Sequence, residues 1–147
     1  MSDAASFRLA LAAVTHNGRV RPNNEDCIAV GDWLQTEPMD APRFWEQPLV
    51  DPLACMVLDG MGGHASGEVA SRLAAQYLAR EIPACATEAA IGVCIAAANR
   101  HLFRRMQEDE AHRGMGATLA GIRFAADGIL VFNVGDSRVY RLQDGFL

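Results

Sequence analysis

The sequence predicts an α+β domain in which mainly antiparallel sheets are packed by helices. Its 147 residues, 50% of them hydrophobic and 21% charged, are enough for one domain with a substantial core. Strand-like segments come first, two helical segments follow one another, and strand-like segments then return. Two helices in succession do not fit the regular alternation of strand and helix that builds a parallel sheet.

The first half of the chain contains three apolar segments with the length and composition of strands. They are "FRLALAAVT" (7–15), "CIAVGDWL" (27–34) and "LACMVLD" (53–59). The last is a continuous apolar run, which is typical of a buried strand. Residues 35–52 contain four prolines and no hydrophobic period, so we expect an irregular surface segment there.

Two helices are predicted next. The first begins near Ser66, a residue type favoured at N-caps, and ends before Pro83. The second spans about 87–109, with Thr87 as its candidate N-cap. Its apolar residues recur at helical spacing and should form one buried stripe. They are Ile91, Cys94, Ile95, Ala98, Leu102 and Met106.

The last part of the chain returns to strands. "GATLAGIRFA" (116–125) and "ILVFNVG" (129–135) are separated by "ADG", which predicts a hairpin, and "RVYRL" (138–142) is a further predicted strand. An Asp-Gly turn at 144–145 then precedes only two residues. A hairpin turn without a returning strand would leave an apolar edge unpaired. We therefore expect residues 1–147 to be a single domain that is truncated at its C-terminus.

The charge and the cysteine content indicate which binding partners and which cellular compartment to expect. The net charge of −5 argues against nucleic acid and anionic membranes as partners. The N-terminus lacks the basic region of a secretory signal, and no apolar stretch is long enough to span a membrane. The four cysteines lie among apolar residues without C-x-x-C spacing, as buried reduced thiols do. A cytoplasmic protein is expected.

The stretch "CMVLDGMGGHASGE" (55–68) carries the strongest signal for chemistry. Asp59 stands at the end of the predicted buried strand, where its carboxylate would be held rigidly. Gly60 can turn its carbonyl toward a ligand because it has no Cβ. Mg²⁺ and Mn²⁺ prefer such oxygen ligands. Glu25 and Asp26 in "NNED" offer further carboxylates, of which an extended backbone would direct at most one to the same cation.

A dinucleotide-binding loop is an alternative for the same residues. "GMGGHA" (60–65) fits G-x-G-x-x-A between a strand and a helix, and Glu81 follows about twenty residues later. Asp59 would face the pyrophosphate, however, and the helix leads into another helix instead of a strand. The dinucleotide reading is therefore the less favoured one.

Four motifs in this order resemble those of a known enzyme family. They are "VRPNNED" (20–26), "LDGMGGHASGEVAS" (58–71), "GMGATL" (114–119) and "VGDSRVYRL" (134–142). Together they resemble the N-terminal motifs of the metal-dependent serine/threonine protein phosphatases of type 2C, the PPM family, in their bacterial form. The resemblance extends over almost the whole chain. It implies a β-sandwich of two mainly antiparallel sheets flanked by helices, a four-layer αββα fold that is incomplete in this chain.

The resemblance also implies roles for individual residues. Arg21 would bind the substrate phosphate, whose oxygens match the planar fork of a guanidinium. Glu25 would lie near one metal and act partly through water, and Asp26 would support the coordinated waters. Asp59 would bridge two metals, and Gly60 would lend its backbone carbonyl to one of them.

The implied cofactors are two Mn²⁺ or Mg²⁺ ions, with a third ion held more loosely by Asp136 in "GDSR". The implied reaction is hydrolysis of phosphoserine or phosphothreonine in proteins by a water activated between two metals, without a phosphoenzyme. The implied partners are a phosphorylated protein and the Ser/Thr kinase that phosphorylates it, with neither nucleic acid nor a membrane involved.

Two departures from the family pattern matter. Many members carry a histidine directly after the D-G pair, where this chain has Met61; His64, three residues on, is expected only to help start the helix. The later D-G and D-N motifs that supply further metal-binding aspartates are absent from these 147 residues, so metal affinity should be reduced. A catalytically inactive half-domain that binds another protein is therefore the alternative function, ahead of a dinucleotide-binding enzyme.

Overall fold

A computed structural model describes residues 7–62 and 66–145 of this chain. Within them the order of elements is β1 (Arg8–Ala13), β2 (Asp26–Val30), β3 (Trp33–Gln35), β4 (Arg43–Pro48), β5 (Leu53–Met61), α1 (Ser66–Glu81), α2 (Glu88–Glu108), β6 (Gly116–Ala117), β7 (Leu119–Ala125) and β8 (Gly128–Val134). A short 3-10 turn follows each helix, at Ile82–Ala84 and at Glu110–His112.

The strands build two antiparallel sheets. The larger sheet has the order β3-β2-β5-β7-β8, and the short β6 pairs with the end of β5. The smaller sheet consists of β1 and β4. This architecture confirms the predicted α+β class with two mainly antiparallel sheets. The described residues contain one helical layer, made by α1 and α2, and not the second helical layer of the expected αββα arrangement.

Helix α1 packs closely on one face of the larger sheet because several of its contact side chains are small. Ala70 and Ala75 of α1 are fully buried, and they let the helix approach β5 closely. Alternate residues of β5 point into this core, where Met56 and Leu58 are 2% and 1% exposed. Burying one such side chain stabilises the fold by about 1.5–3 kcal/mol.

The helix predictions are confirmed. Thr87 is the N-cap of α2, and its hydroxyl accepts a hydrogen bond from the Ala90 amide at 3.2 Å. The predicted stripe of α2 lies in or against the core. Pro83 lies in the 3-10 turn that ends α1. No helix within the described residues is long and apolar enough to cross a membrane.

The opposite face of the larger sheet is only partly covered. β1 lies over it, and a cavity of about 470 Å³ remains between them, lined by Leu11, Cys55 and Ile122 among others. Further out, Ile129 and Val131 of β8 are 61% and 56% exposed. This face therefore carries apolar side chains that the described residues do not bury.

The expectation of an irregular segment at 35–52 was wrong in its centre. Residues 43–48 form β4, which pairs with β1 from Ala13↔Arg43 to Arg8↔Pro48. Proline is tolerated at the end of such an edge strand because its missing amide removes no interior hydrogen bond. The Arg43 guanidinium also lies 5.1 Å from the ring centroids of both Trp33 and Trp45, which ties β4 to β3.

Two other strand predictions needed correction. The segment 27–34 is a hairpin of β2 and β3, because Gly31 takes a φ of 54° and turns the chain. The segment 138–142 forms no strand. The Asn133 side chain donates a hydrogen bond to the Ser137 carbonyl, which bends the chain after β8, and Tyr140 then lines the cavity beside β1.

Candidate metal centre

The acidic core of the site is a pair of carboxylates on the two central strands. The antiparallel register of β2 and β5 sets Asp26 directly opposite Asp59, so that both side chains emerge on the same face. Burial raises the pKa of Asp26, and the charge of Asp59, a hydrogen bond with it and the charge of Glu25 raise it further. Two carboxyl groups placed this closely make the site acidic, and acidic oxygen donors are what Mg²⁺ and Mn²⁺ prefer.

Gly60 follows Asp59 at a point where the backbone of another element approaches very closely. A Cβ at Gly60 would lie 2.0 Å from the Gly67 carbonyl oxygen and 2.7 Å from the Glu25 carbonyl oxygen. The Gly60 amide donates a hydrogen bond to that Glu25 carbonyl at 3.1 Å. The absence of a side chain is thus required by the packing of β5 against α1 and the "NNED" turn.

Glu25 is held by its backbone and lies beside Arg21. Its carbonyl oxygen accepts a second hydrogen bond, from the Ser71 hydroxyl of α1, at 2.7 Å. The Glu25 carboxylate lies 4.0 Å from the Arg21 guanidinium, whose side chain is 76% exposed. The Arg21 carbonyl accepts a hydrogen bond from the Asn17 side chain at 2.7 Å. Arg21 is therefore anchored by its backbone and presents its charge to solvent.

Thr118 connects Asp59 with the "GDSR" loop. The Thr118 hydroxyl accepts a hydrogen bond from the Asp59 amide at 3.1 Å, and the Thr118 amide donates to the Asp59 carbonyl at 2.8 Å. The same hydroxyl shares a short hydrogen bond with the Ser137 hydroxyl. The Asp59 amide thus bonds to the Thr118 side chain and not to a backbone carbonyl. The strand predicted over 116–125 is divided at this residue into β6 and β7.

The described residues bring together only part of the predicted ligand set. Asp26, Asp59, Gly60 and Glu25 converge, with Glu25 through both its backbone and its carboxylate, whereas Asp136 is exposed on its loop. No group of three or more His, Cys, Asp or Glu side chains within the described ranges could hold a metal ion. A cation at this site would therefore depend on two carboxylates, backbone oxygen and water. His64, expected to help start α1, falls outside the described residues.

A polar cavity of about 630 Å³ lies beside the "NNED" turn. Asn24, Glu37, Glu68 and Arg72 are among the residues that line it. Asn24 is itself buried, and its side-chain amide donates to the Thr36 carbonyl at 2.6 Å. This hydrogen bond of Asn24 therefore helps to hold the turn that carries Glu25.

Three contributors to the site were not singled out from the sequence. Ser71, Gly67 and Thr118 contact Glu25, Gly60 and Asp59, and all three lie inside quoted motifs. The motif letters were a signal that these positions mattered. The contacts of Ser71 with Glu25 and of Thr118 with Asp59 join residues more than forty positions apart.

The fold and the site together define an α+β protein with an acidic centre suited to a hard divalent cation. A family model described as Protein phosphatase 2C matches residues 38–147, which is more than half of the chain. The chain therefore belongs to the protein phosphatase 2C family, as its motifs predicted.

Curated relatives are named as phosphatases. Serine/threonine protein phosphatase PstP of Mycobacterium tuberculosis is 34% identical over 142 residues, covering 95% of this chain and 24% of PstP. Serine/threonine phosphatase stp of Listeria monocytogenes is 34% identical over 140 residues, covering 90% of this chain and 50% of the relative. The chain thus spans a quarter to a half of the length of these relatives.

A solved structure matches the fold over almost the whole chain. It is the catalytic domain of the serine/threonine phosphatase PstP in complex with two manganese ions. The TM-score is 0.67 and the sequence identity is 31%, over 94% of this chain and 52% of the solved one. That protein binds manganese within the same type of fold.

Proposed function

We propose that this chain is the N-terminal part of a metal-dependent phosphatase that hydrolyses phosphoserine and phosphothreonine in proteins. The observation that carries the proposal is the opposed pair of Asp26 and Asp59, in a chain of the protein phosphatase 2C family. The relatives named above are serine/threonine phosphatases, which supports this substrate class.

The donor atoms at the site fit Mg²⁺ or Mn²⁺. Asp59, the Gly60 carbonyl and Glu25 are the residues that we assign to two ions, and Asp136 to a third, looser one. All of them offer oxygen, which these cations prefer, and waters complete such coordination shells. When bound, the ions lower the pKa of coordinated water and offset charge on the phosphate.

The chain's own residues then have distinct tasks. The exposed guanidinium of Arg21 binds the substrate phosphate through charge-assisted hydrogen bonds. Asp26 holds water near Asp59 through a hydrogen bond. Cys27 and Cys55 are poor nucleophiles, because burial raises the pKa of each to about 11 and leaves little thiolate at neutral pH.

The biological setting is part of the same proposal. The substrate is a phosphorylated protein, and its partner is the Ser/Thr kinase that adds the phosphate. We assign the reaction to the cytoplasm, where the free thiols of this chain would stay reduced.

The domain assignment also belongs to the proposal. Residues 1–147 are taken as the N-terminal portion of one phosphatase domain. The uncovered apolar side chains of Val57, Ile129 and Val131 support this assignment, since the rest of such a domain would bury them. The same surface is what a catalytically inactive, protein-binding half-domain would use, so metal binding has to distinguish the two functions.

Mn²⁺ binding by the 147-residue chain, measured by calorimetry, tests the proposal. We expect a saturable site that D59N weakens by at least about tenfold, because it removes one of two opposed carboxylates. Asp51 is an exposed loop aspartate, so D51N is the matched control and should bind as the wild type does. Mn²⁺-dependent release of phosphate from a phosphothreonine peptide should likewise be similar in the wild type and D51N and lower in D59N. Equal Mn²⁺ affinity of the wild type and D59N would contradict the proposal.

A further inference from the structure

The first turn of α1 lies against Glu25 with no room for a side chain. A Cβ built on Gly67 would lie 2.9 Å from the Glu25 carboxylate oxygen Oε1 and 3.0 Å from the Gly60 carbonyl oxygen. Both distances are shorter than carbon–oxygen van der Waals contact. Gly67 therefore allows α1 to approach two oxygens of the candidate metal centre at once.

The backbone of Gly67 does not itself require glycine. Its φ is not among the positive values of the described glycines, and it lies within the regular helix α1. Glycine inside a helix is destabilising relative to alanine. Gly92 provides the contrast, since a Cβ there would meet nothing within 4 Å. The requirement at Gly67 is thus the space taken by Glu25 and Gly60.

Ser71, one helical turn further on, holds the same residue from its backbone side. Ser71 is fully buried, and its hydroxyl donates to the Glu25 carbonyl at 2.7 Å. The Gly60 amide donates to that carbonyl as well, at 3.1 Å. The Glu25 backbone is therefore fixed by two donors, while its carboxylate is confined beside Gly67.

We propose that Gly67 and Ser71 are positioning residues of the metal centre, and that α1 sets the separation between the Glu25 carboxylate and the Gly60 carbonyl. This inference rests on the proposed function, because it concerns the oxygens assigned there to the cations. It adds a role for the helix beyond packing on the sheet. Gly67 is thus needed for the position of the Glu25 carboxylate, which belongs to a residue 42 positions earlier in the chain.

The test compares G67A with G92A in the 147-residue chain. We expect G67A to weaken Mn²⁺ binding by at least about tenfold, as loss of a partner that orients a metal ligand does. The urea midpoint of the metal-free G67A protein should stay close to that of the wild type, because the Glu25 carboxylate can rotate away and the Gly60 carbonyl has to yield only slightly. G92A should bind Mn²⁺ with wild-type affinity. Wild-type affinity in G67A would overturn the inference.

A double variant shows whether the effect passes through Glu25. In an E25A background, adding G67A should change Mn²⁺ affinity clearly less than in the wild type, because the displaced carboxylate is already gone and only the contact with the Gly60 carbonyl remains. An unchanged, full effect of G67A in that background would overturn the inference. If G67A alone does not fold, E25A/G67A should restore cooperative urea unfolding, and failure to do so would equally overturn it.

S71A supplies a third arm that changes no steric contact at Gly67. It should also weaken Mn²⁺ binding by about tenfold, since the Glu25 carbonyl then keeps only one donor. Wild-type affinity in S71A would remove Ser71 from the inference. Failure of the proposed function would look different, because wild type and D59N would then bind Mn²⁺ equally and α1 would have no centre to position.

Discussion

Asp26 and Asp59 face each other across β2 and β5, and burial together with the charge of Asp59 makes ionisation of Asp26 harder. The folded pKa of Asp26 is raised, so the folded protein binds a proton here that the unfolded chain has already released. In the metal-free protein, stability from this group is therefore present at low pH and is lost as pH rises from about 3.8 through the raised pKa.

D26N should consequently stabilise the metal-free protein at pH 7, where the repulsion is fully developed. At pH 3 the gain should disappear, because Asp26 is then largely protonated in the folded and the unfolded protein alike. Urea unfolding in the presence of EDTA measures both values, with the exposed D51N as the control. A lower urea midpoint for D26N than for wild type at pH 7 would refute this account of the pair.

Thr118 should matter for stability because its hydroxyl accepts from the Asp59 amide and bonds to Ser137. T118V keeps the shape but removes the acceptor, and we expect a loss of about 1–3 kcal/mol in the free energy of unfolding. T118S retains the hydroxyl and should lose less than half as much. Urea denaturation of the three proteins measures these losses, and wild-type stability in T118V would contradict the role given to the hydroxyl.

Arg21 should control affinity for phosphate. Its guanidinium is mostly exposed, and its only ion pair among the described residues is a 4.0 Å contact with Glu25. R21A should weaken binding of inorganic phosphate to the Mn²⁺-loaded chain by about tenfold or more, the value of one or two charge-assisted hydrogen bonds.

The control for this prediction is R19A, since Arg19 is exposed two residues earlier and forms no ion pair within the described residues. R19A should change phosphate affinity by less than about twofold. Calorimetric titration with phosphate compares the two variants. Equal weakening in both would mean that general positive charge, and not Arg21, attracts the phosphate.

Cys27 should be inert toward thiol reagents in the native protein. It is fully buried, and burial raises its pKa from 9.0 to about 11. At pH 8 this leaves roughly 100-fold less thiolate than in the unfolded chain, and access is blocked as well. The raised pKa also means that stability is lost as pH rises from 9.0 to about 11.

Labelling with iodoacetamide at pH 8, followed by peptide mass spectrometry, measures the reactivity of Cys27. The same reaction in urea gives the unfolded rate for the same residue. We expect slower native labelling by at least about 100-fold. Comparable rates in the two conditions would mean that β2 opens readily, which its central position in the sheet argues against.

Local signals along the chain were enough to predict several elements. α2 was predicted from the Thr87 cap and a stripe of apolar residues, because both depend on neighbours within one or two turns. β5 was predicted from its continuous apolar run, and Asp59 from its position near the end of that run. The prediction failed where the formation of a strand depends on a distant partner. The strand β4 forms because β1 pairs with it. The segment 138–142 forms no strand because it pairs with none of the described residues.

The sequence by itself determined the helices, the central strand and the family, since these follow from local spacing and motif order. Only the tertiary structure decided that Asp26, and not the Glu25 side chain, is paired with Asp59, because a strand register is set by hydrogen bonds between distant segments. The same holds for Gly67 and Ser71, whose importance comes from how closely α1 packs against the turn that carries Glu25. Close packing arises only in the folded chain, so no local sequence pattern could have predicted these contacts.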